Sequence, residues 1–145
     1  MEIISGRQVK ALKVVIYGPE GIGKSTFAAQ FPEPLFIDTE DSTKFMDVRR
    51  FKRPQSWAEL MEQAKYVRDT LDLCRTLVLD TADWAERLCI RAVCAKYNKS
   101  GIEQFDFGKG YVYVHEEFGK LLNLLSEITE RGMNVVLILI TYKRL

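Results

Sequence analysis

The sequence has few of the residues that build metal centres in small domains. It contains a single histidine, His115, and three cysteines, Cys74, Cys89 and Cys94. No two cysteines form a C-x-x-C pair, and the histidine lies far from all three along the chain. Because a zinc site needs several such ligands at close spacing, the sequence argues against bound zinc. The cysteines are instead expected to be buried free thiols in a reducing cytosol.

Long apolar runs and a surplus of one charge are also missing. The longest apolar run, Val135–Ile140, is too short to cross a bilayer, and Met1–Lys10 lacks the apolar stretch of a signal peptide. The 21 basic and 20 acidic residues give a formal net charge of +1, so the overall balance indicates neither a nucleic acid nor a membrane as partner. We therefore expect a cytoplasmic protein with no membrane partner.

Apolar residues are plentiful enough for one core. They make up 47% of the 145 residues, and charged residues make up 28%, which is typical of a globular protein. We expect residues 1–145 to form a single domain. Leu145 closely follows an apolar strand pattern, which indicates either a minimal core or a domain truncated at its C-terminal end.

Strand and helix patterns alternate along the chain. Strands are predicted at Leu12–Tyr17, Leu35–Asp38, Thr76–Asp80 and Asn134–Ile140, with a weak edge strand at Val48–Phe51. Helices are predicted at Lys24–Phe31, from a capping box at Ser56–Glu59 through Leu71, at Asp83–Tyr97, and from Val114 to Ile128. Unbroken apolar strands separated by helices predict an α/β fold with a mainly parallel sheet that is covered on both faces.

A phosphate-binding loop lies between the first predicted strand and the first predicted helix. It fits the pattern G-x-x-x-x-G-K-[ST] and consists of Gly18, Pro19, Glu20, Gly21, Ile22, Gly23, Lys24 and Ser25. The glycines let the backbone turn tightly, so that its amides and the following helix start surround an anion. Lys24 is placed to meet the β and γ phosphates, Ser25 to ligate Mg²⁺, and Thr26 to meet the α phosphate. The predicted ligand is a nucleoside triphosphate, with ATP and Mg²⁺ as the favoured pair.

An acidic residue ends the third predicted strand. The run Leu77–Asp80 has the Walker B form, in which the carboxylate holds the shell of the Mg²⁺ ion. Asp80 also precedes a predicted helix, together with Thr81 and Asp83, so its alternative role is that of a helix cap. Beside a phosphate-binding loop we favour the metal role.

Hydrolysis needs one more group to orient the attacking water, and the candidates are Glu40, Asp41 and Asp83. Glu40 follows the strand Leu35–Asp38, and open α/β sheets bind their ligands at the carboxyl ends of the strands. We therefore choose Glu40 as the catalytic carboxylate, with a solvated loop residue as its alternative role. Asp38 is expected to be structural, holding the loop or the metal shell.

The polar residues after the last predicted strand have alternative roles. Thr141 stands where a side chain could sense the γ phosphate, or it is an ordinary threonine at a strand end. Lys143 and Arg144 could contact phosphate, nucleic acid or a neighbouring subunit, although keeping the strand end soluble is the commonest role of such residues. The sequence leaves these alternatives open.

Several stretches together resemble the RecA-like ATPases, and among them the phage-encoded ATP-binding proteins that act as single-strand annealing recombinases. They are Gly18–Thr26, Phe36–Glu40, Leu77–Asp80, Phe105–Tyr113 with Glu116–Phe118, and Val135–Arg144. The I-D-x-E pattern in the second stretch points to the RecA branch, and it places the catalytic glutamate of that family at Glu40. Thr141 departs from the resemblance, because RecA proteins usually carry glutamine there and the phage branch often carries histidine.

The resemblance implies a three-layer, RecA-like P-loop fold with strands in the order 35–38, 76–80, 134–140, 12–17. It further implies an ATPase of phage-type DNA recombination or single-strand annealing, with single-stranded DNA as a partner and a homo-oligomeric ring or filament as the assembly. No DNA-contacting residue carries over. The Arg49–Arg53 segment, in which Phe51 lies among basic residues, is either a stacking surface for DNA or a charged, protected edge strand, and we slightly favour the edge strand.

Two other functions remain open as alternatives. One is a nucleotide-gated binding module of DNA replication that hydrolyses little ATP. The other, less favoured, is a small-molecule kinase. Such kinases usually carry an arginine-rich lid, whereas the predicted loop Asn98–Gly110 contains only Lys99 and Lys109 as basic residues.

Overall fold

A computed structural model of the protein describes residues 1–141, which form five strands and four α-helices. The strands are β1 (Lys13–Gly18), β2 (Pro34–Asp38), β3 (Arg49–Arg50), β4 (Thr76–Asp80) and β5 (Asn134–Ile140). The helices are α1 (Lys24–Ala28), α2 (Trp57–Asp69), α3 (Ala82–Lys96) and α4 (Lys109–Glu130). Short 3₁₀ turns at Ile102–Gln104 and Asp106–Gly108 join α3 to α4. Across the described chain, no helix combines the length and the apolar character that crossing a membrane demands.

The strands form one parallel sheet in the order β1-β5-β4-β2-β3. The order predicted for the four longer strands is confirmed, and the weak edge strand exists as the two-residue β3. Strand β5 lies between β1 and β4. The register pairs Gly18 with Ile140 and Asp38 with Asp80, so the segments that follow β1, β2 and β4 emerge at one edge of the sheet. The predicted α/β class with a parallel sheet is therefore confirmed.

The two faces of the sheet carry cores of different size. On one face, Leu77 and Leu137 belong to a large buried cluster shared with helices α2, α3 and α4. On the other face, Val78 and Val136 pack in a small cluster with Ala28 of α1. Because successive residues of a strand point to opposite faces, burial on both faces explains the unbroken apolar runs in the sequence.

Helix α2 begins with the predicted capping box, in a slightly shifted form. The Ser56 hydroxyl accepts a hydrogen bond from the Glu59 amide at 3.1 Å. The Glu59 carboxylate reaches one residue further back than expected and accepts from the Gln55 amide at 2.6 Å. The prediction that Leu71 continues the apolar face is wrong, because the helix ends at Asp69 and Leu71 is 89% exposed.

The end of α1 and the start of α4 also differ from the sequence prediction, each by several residues. Helix α1 ends at Ala28 rather than Phe31, and the last turn tightens as the Phe31 amide bonds to the Ala28 carbonyl at 3.1 Å. Pro32 accounts for the absence of Phe31 from the helix, since the residue before a proline is driven away from the helical region. Helix α4 begins at Lys109 rather than Val114, so Gly110 is helical. A Cβ at Gly110 would lie 2.6 Å from the Phe105 ring, which shows that this glycine serves close packing and not a loop.

Candidate nucleotide-binding site

The phosphate-binding loop joins the buried end of β1 at Gly18 to the start of α1 at Lys24. Gly21 and Gly23 adopt φ angles of 82° and 100°, a region that residues with a side chain rarely enter. A Cβ at either position would meet no atom within 4 Å, so the backbone angle, and not a lack of space, requires glycine. The loop therefore owes its shape to its own glycines.

The donors of this loop are arranged for an anion. The first amide that bonds within α1 belongs to Phe27, which donates to the Gly23 carbonyl at 2.9 Å. The amides of Lys24, Ser25 and Thr26 precede it and are the donors that a helix start offers to phosphate. The Lys24 ammonium donates to the carbonyls of Gly18 at 2.8 Å and Pro19 at 2.7 Å, which holds its charge against the loop.

Strand β5 separates β1 from β4, and the side chains of Ser25 and Asp80 contact each other across this separation. The Ser25 hydroxyl donates to Asp80 Oδ2 at 2.5 Å. Asp80 is 1% exposed. Its burial raises the pKa of its carboxyl above the usual value, as does the nearby Asp38, whereas the Ser25 hydrogen bond and Lys24 lower it. A cation beside Asp80 would oppose this rise and stabilise the charged form.

The protein supplies a sparse donor set for a metal ion. Within residues 1–141, no three acidic, histidine or cysteine side chains are grouped so that they could hold a metal. Ser25 and Asp80 offer one hydroxyl and one carboxylate. This set fits Mg²⁺, which keeps several waters and is commonly held by one or two carboxylates together with substrate phosphates. It does not fit an ion that needs a complete protein cage.

Glu40 faces the same cleft as Ser25 and Asp80. The cleft has a volume of about 320 Å³, and its lining includes Glu20, Lys24, Ser25, Glu40, Ser42, Met46, Asp80 and Ile140. Burial raises the pKa of the Glu40 carboxyl, and the negative charges of Asp80, Asp38 and Glu20 raise it further. A carboxylate with a raised pKa accepts a proton more readily than an ordinary surface glutamate.

The other two candidates for the water-orienting acid are engaged elsewhere. Asp83 accepts a hydrogen bond from the Ile140 amide at 2.9 Å and so extends the hydrogen bonding of β5 beyond the end of β4. Asp41 is exposed and lies 3.9 Å from the Arg53 guanidinium. Of the three, only Glu40 lines the cleft.

Asp38 organises the loop after β2, which comprises residues 39–48. Its buried carboxylate accepts from the amides of Glu40 at 3.1 Å, Ser42 at 3.2 Å and Thr43 at 2.8 Å. The Thr43 hydroxyl donates to it as well. All these partners lie within the loop, which agrees with the structural role expected for Asp38. The loop brings Met46 and Ser42 to the cleft, two residues that the sequence patterns did not indicate.

Thr141 lies beside the phosphate-binding loop, and its amide donates to the Gly18 carbonyl at 3.0 Å. Thr141 is exposed, and the preceding Ile140 lines the cleft. The sensing of γ phosphate by Thr141 stays a prediction. Lys143 and Arg144 lie outside the described residues.

Side chains of the basic segment Arg49–Arg53 make contacts within the protein. The Arg49 guanidinium donates to the Leu73 carbonyl at 3.0 Å. The Arg50 guanidinium donates to carbonyls of the loop after β2, among them Thr43 and Met46, both at 3.3 Å. The Phe51 ring packs edge-on against Tyr66 with centroids 6.2 Å apart. These contacts favour the alternative of an edge strand over a stacking surface for DNA.

The parallel sheet, the glycine-shaped loop and the contact between Ser25 and Asp80 define a P-loop nucleotide-binding domain. Residues 10–144 match the family model described as the AAA domain, which is nearly the whole chain, and the chain belongs to this family. The family places it among the AAA-type P-loop ATPases. No curated protein matches the chain. The narrower resemblance to phage recombinases is not decided by this match and stays a prediction.

Proposed function

We propose that the protein is a Mg²⁺-dependent ATPase whose catalytic carboxylate is Glu40. The observation that supports this most is the convergence of three elements on one cleft. The phosphate-binding loop supplies Lys24 and Ser25, strand β4 supplies Asp80, and the loop after β2 supplies Glu40. Each group comes from a different strand end, and the parallel register brings those ends together.

Each residue of the site has a separate role in the proposed hydrolysis. Lys24 leaves the carbonyls of Gly18 and Pro19 to neutralise phosphate oxygens, and the loop amides bind the same oxygens. Ser25 and Asp80 would hold Mg²⁺, an ion that would supply withdrawal of negative charge from the phosphates. Glu40 orients a water, whose oxygen attacks the γ phosphorus while the bond to the bridging oxygen breaks. The water's proton passes to the Glu40 carboxylate, and the products are ADP and phosphate.

The test compares Glu40→Gln with the unchanged protein. We expect kcat for ATP to fall by a factor on the order of 10² or more, because general acid–base groups contribute that much. Affinity for Mg²⁺-ATP, measured by titration calorimetry, should stay close to normal, since Glu40 lies beyond the phosphate-binding loop. Asp41→Asn is the matched control, because it neutralises the neighbouring exposed acid. A Glu40→Gln variant that hydrolyses ATP at the normal rate would remove Glu40 from the mechanism.

The biological setting that we propose is phage-type DNA recombination or single-strand annealing in the cytoplasm. This setting rests on the resemblance of the stretches named above to that branch of RecA-like ATPases. The same resemblance is the reason for proposing single-stranded DNA as the partner and a ring or filament as the assembly. ATP hydrolysis measured with and without single-stranded DNA tests the setting, and light scattering with and without nucleotide tests the assembly. Hydrolysis that DNA leaves unchanged would contradict it.

The alternative of a nucleotide-gated binding module has one observation in its favour. Ser42 and Met46 of the loop after β2 line the cleft, so this loop would respond to a bound nucleotide. A protein that binds Mg²⁺-ATP tightly, hydrolyses almost none and changes the proteolysis of residues 39–48 would be such a module. The kinase alternative is weakened, because no residue of the segment 98–110 lines the cleft in the described structure.

A further inference from the structure

Thr39 joins the ends of two neighbouring strands through its side chain. Its hydroxyl donates to the Thr81 carbonyl at 3.0 Å and accepts from the Thr81 amide at 2.8 Å. The Thr39 amide donates to the Asp80 carbonyl at 2.8 Å. Thr39 and Thr81 are each 2% exposed. One hydroxyl thus bonds to both backbone polar groups of Thr81, the buried residue that follows β4.

The hydrogen bonds between Thr39 and Thr81 join the residues next to the two acids of the site, Glu40 and Asp80. Thr39 directly precedes Glu40, and Thr81 directly follows Asp80. The Glu40 amide is held from the other side by Asp38 Oδ1 at 3.1 Å. Asp80 is in turn held by the Ser25 hydroxyl. Hydrogen bonds and the covalent chain together connect the phosphate-binding loop to the backbone of Glu40.

The negative charges of Glu40 and Asp80 repel each other. The negative charge of Asp80 is among the causes that raise the pKa of Glu40, so the two carboxylates lie close enough to interact. Strands β2 and β4 are paired as far as Asp38 and Asp80. The two hydrogen bonds between Thr39 and Thr81 continue this connection one residue beyond the paired strands, and they oppose the repulsion between the two acids.

We propose that the Thr39 hydroxyl is a positioning group that fixes Glu40 relative to Asp80 for ATP hydrolysis. The inference rests on the proposed role of Glu40 and adds a residue that touches neither nucleotide nor metal. A displacement of a catalytic group by about 1 Å costs on the order of 100-fold in rate. Loss of the hydrogen bonds between Thr39 and Thr81 should therefore lower kcat and leave the phosphate-binding loop intact.

The test replaces Thr39 with valine, which keeps the shape and removes the hydroxyl, and with serine, which keeps the hydroxyl. We expect Thr39→Val to lower kcat on the order of 10- to 100-fold, with KM and Mg²⁺-ATP affinity changed by less than about twofold. Thr39→Ser should restore most of kcat. Hydrogen exchange at the Thr81 amide should be faster in Thr39→Val and slow again in Thr39→Ser.

Thr76→Val is the matched control. Thr76 is a fully buried threonine at the opposite end of β4, and its hydroxyl accepts a 3.4 Å hydrogen bond from the Asn134 side chain. Its replacement removes a buried hydroxyl from the strand that carries Asp80 without touching the site, so kcat should stay normal. A general loss of stability would lower the activity of both valine variants equally, which would overturn the inference.

The remaining outcomes separate this inference from the proposed function. If the unchanged protein hydrolyses ATP and Glu40→Gln does not, a normal kcat in Thr39→Val overturns the positioning role alone. A Thr39→Ser variant as slow as Thr39→Val overturns it too. If the unchanged protein hydrolyses no ATP, or Glu40→Gln hydrolyses it normally, the proposed function fails and the inference fails with it.

Discussion

The phosphate-binding loop, residues 18–25, turns through its own backbone, whereas the loop after β2, residues 39–48, is held by side chains. In the first, Gly21 and Gly23 provide the left-handed turns, and Lys24 bonds to two carbonyls only five and six residues away. In the second, Asp38 gathers three amides and Arg50 reaches four carbonyls. Both loops line one cleft.

The difference concerns how far each loop depends on the rest of the fold. A loop shaped by glycine angles is encoded within a short motif and is recognisable wherever that motif occurs. The loop after β2 requires the backbone of Thr81, which follows the neighbouring strand β4, and a guanidinium from β3. We therefore expect changes in the phosphate-binding loop to act on nucleotide binding, and changes around residues 39–48 to act on stability as well.

Asp38→Asn should have the largest effect on stability. An asparagine offers one acceptor oxygen in place of two and turns its NH₂ group toward amide donors, which leaves buried donors unsatisfied at a cost of about 2–3 kcal/mol. Urea unfolding measures the loss. Asp41→Asn, an exposed neighbour, should change stability by less than about 0.5 kcal/mol. Equal stability of the two variants would show that the buried carboxylate does not hold the loop.

Gly23→Ala should act chiefly on the nucleotide. At φ 100° an alanine is strained by roughly 1–2 kcal/mol, so the loop relaxes and Mg²⁺-ATP affinity falls about tenfold. Gly119→Ala provides the control, since Gly119 lies inside α4 and an added Cβ there meets no atom within 4 Å. That change should stabilise the protein by about 0.5–1 kcal/mol and leave affinity normal. Calorimetric titration of both variants decides whether the backbone angle matters.

Asp80→Asn should have a smaller effect on stability than Asp38→Asn, and with the opposite sign. The pKa of Asp80 is raised in the folded protein, so folding favours its protonated form, and the charged form destabilises the nucleotide-free protein increasingly as pH rises above the usual aspartate pKa. Asparagine keeps a hydrogen bond to Ser25 and avoids the buried charge. We expect it to stabilise the nucleotide-free protein by about 0.5–2 kcal/mol at neutral pH and to abolish Mg²⁺-dependent hydrolysis.

Thermal unfolding of both proteins from pH 4 to pH 8, without nucleotide, checks this sign. The advantage of Asp80→Asn over the unchanged protein should grow as pH rises above the usual aspartate pKa and level off above the raised pKa of Asp80. An advantage that shrinks toward neutral pH would mean that the Asp80 charge is compensated by its surroundings. Mg²⁺-ATP should reverse the order of the two proteins, because only the unchanged one binds the metal fully.

Much of the fold could be predicted because its signals are local and periodic. The four longer strands are runs of apolar residues, and Ser56 and Glu59 mark the start of α2 within four positions. The sheet order came from a family resemblance, and the match of residues 10–144 to the AAA domain supports the P-loop class. Glycine at position 110 misled the prediction, because a glycine needed for close packing looks in sequence like a glycine needed for a turn.

The sequence by itself determined the chemistry of the phosphate-binding loop, since glycine angles, one ammonium and one hydroxyl act within eight consecutive residues. Only the tertiary structure distinguishes the surroundings of the three candidate acids, because Asp83 bonds to the Ile140 amide, Asp41 is exposed near Arg53, and Glu40 alone of the three lines the cleft. It alone also revealed Thr39 as a link to Thr81, 42 residues away. Contacts between strand ends depend on sheet order and register, and no short motif carries that information.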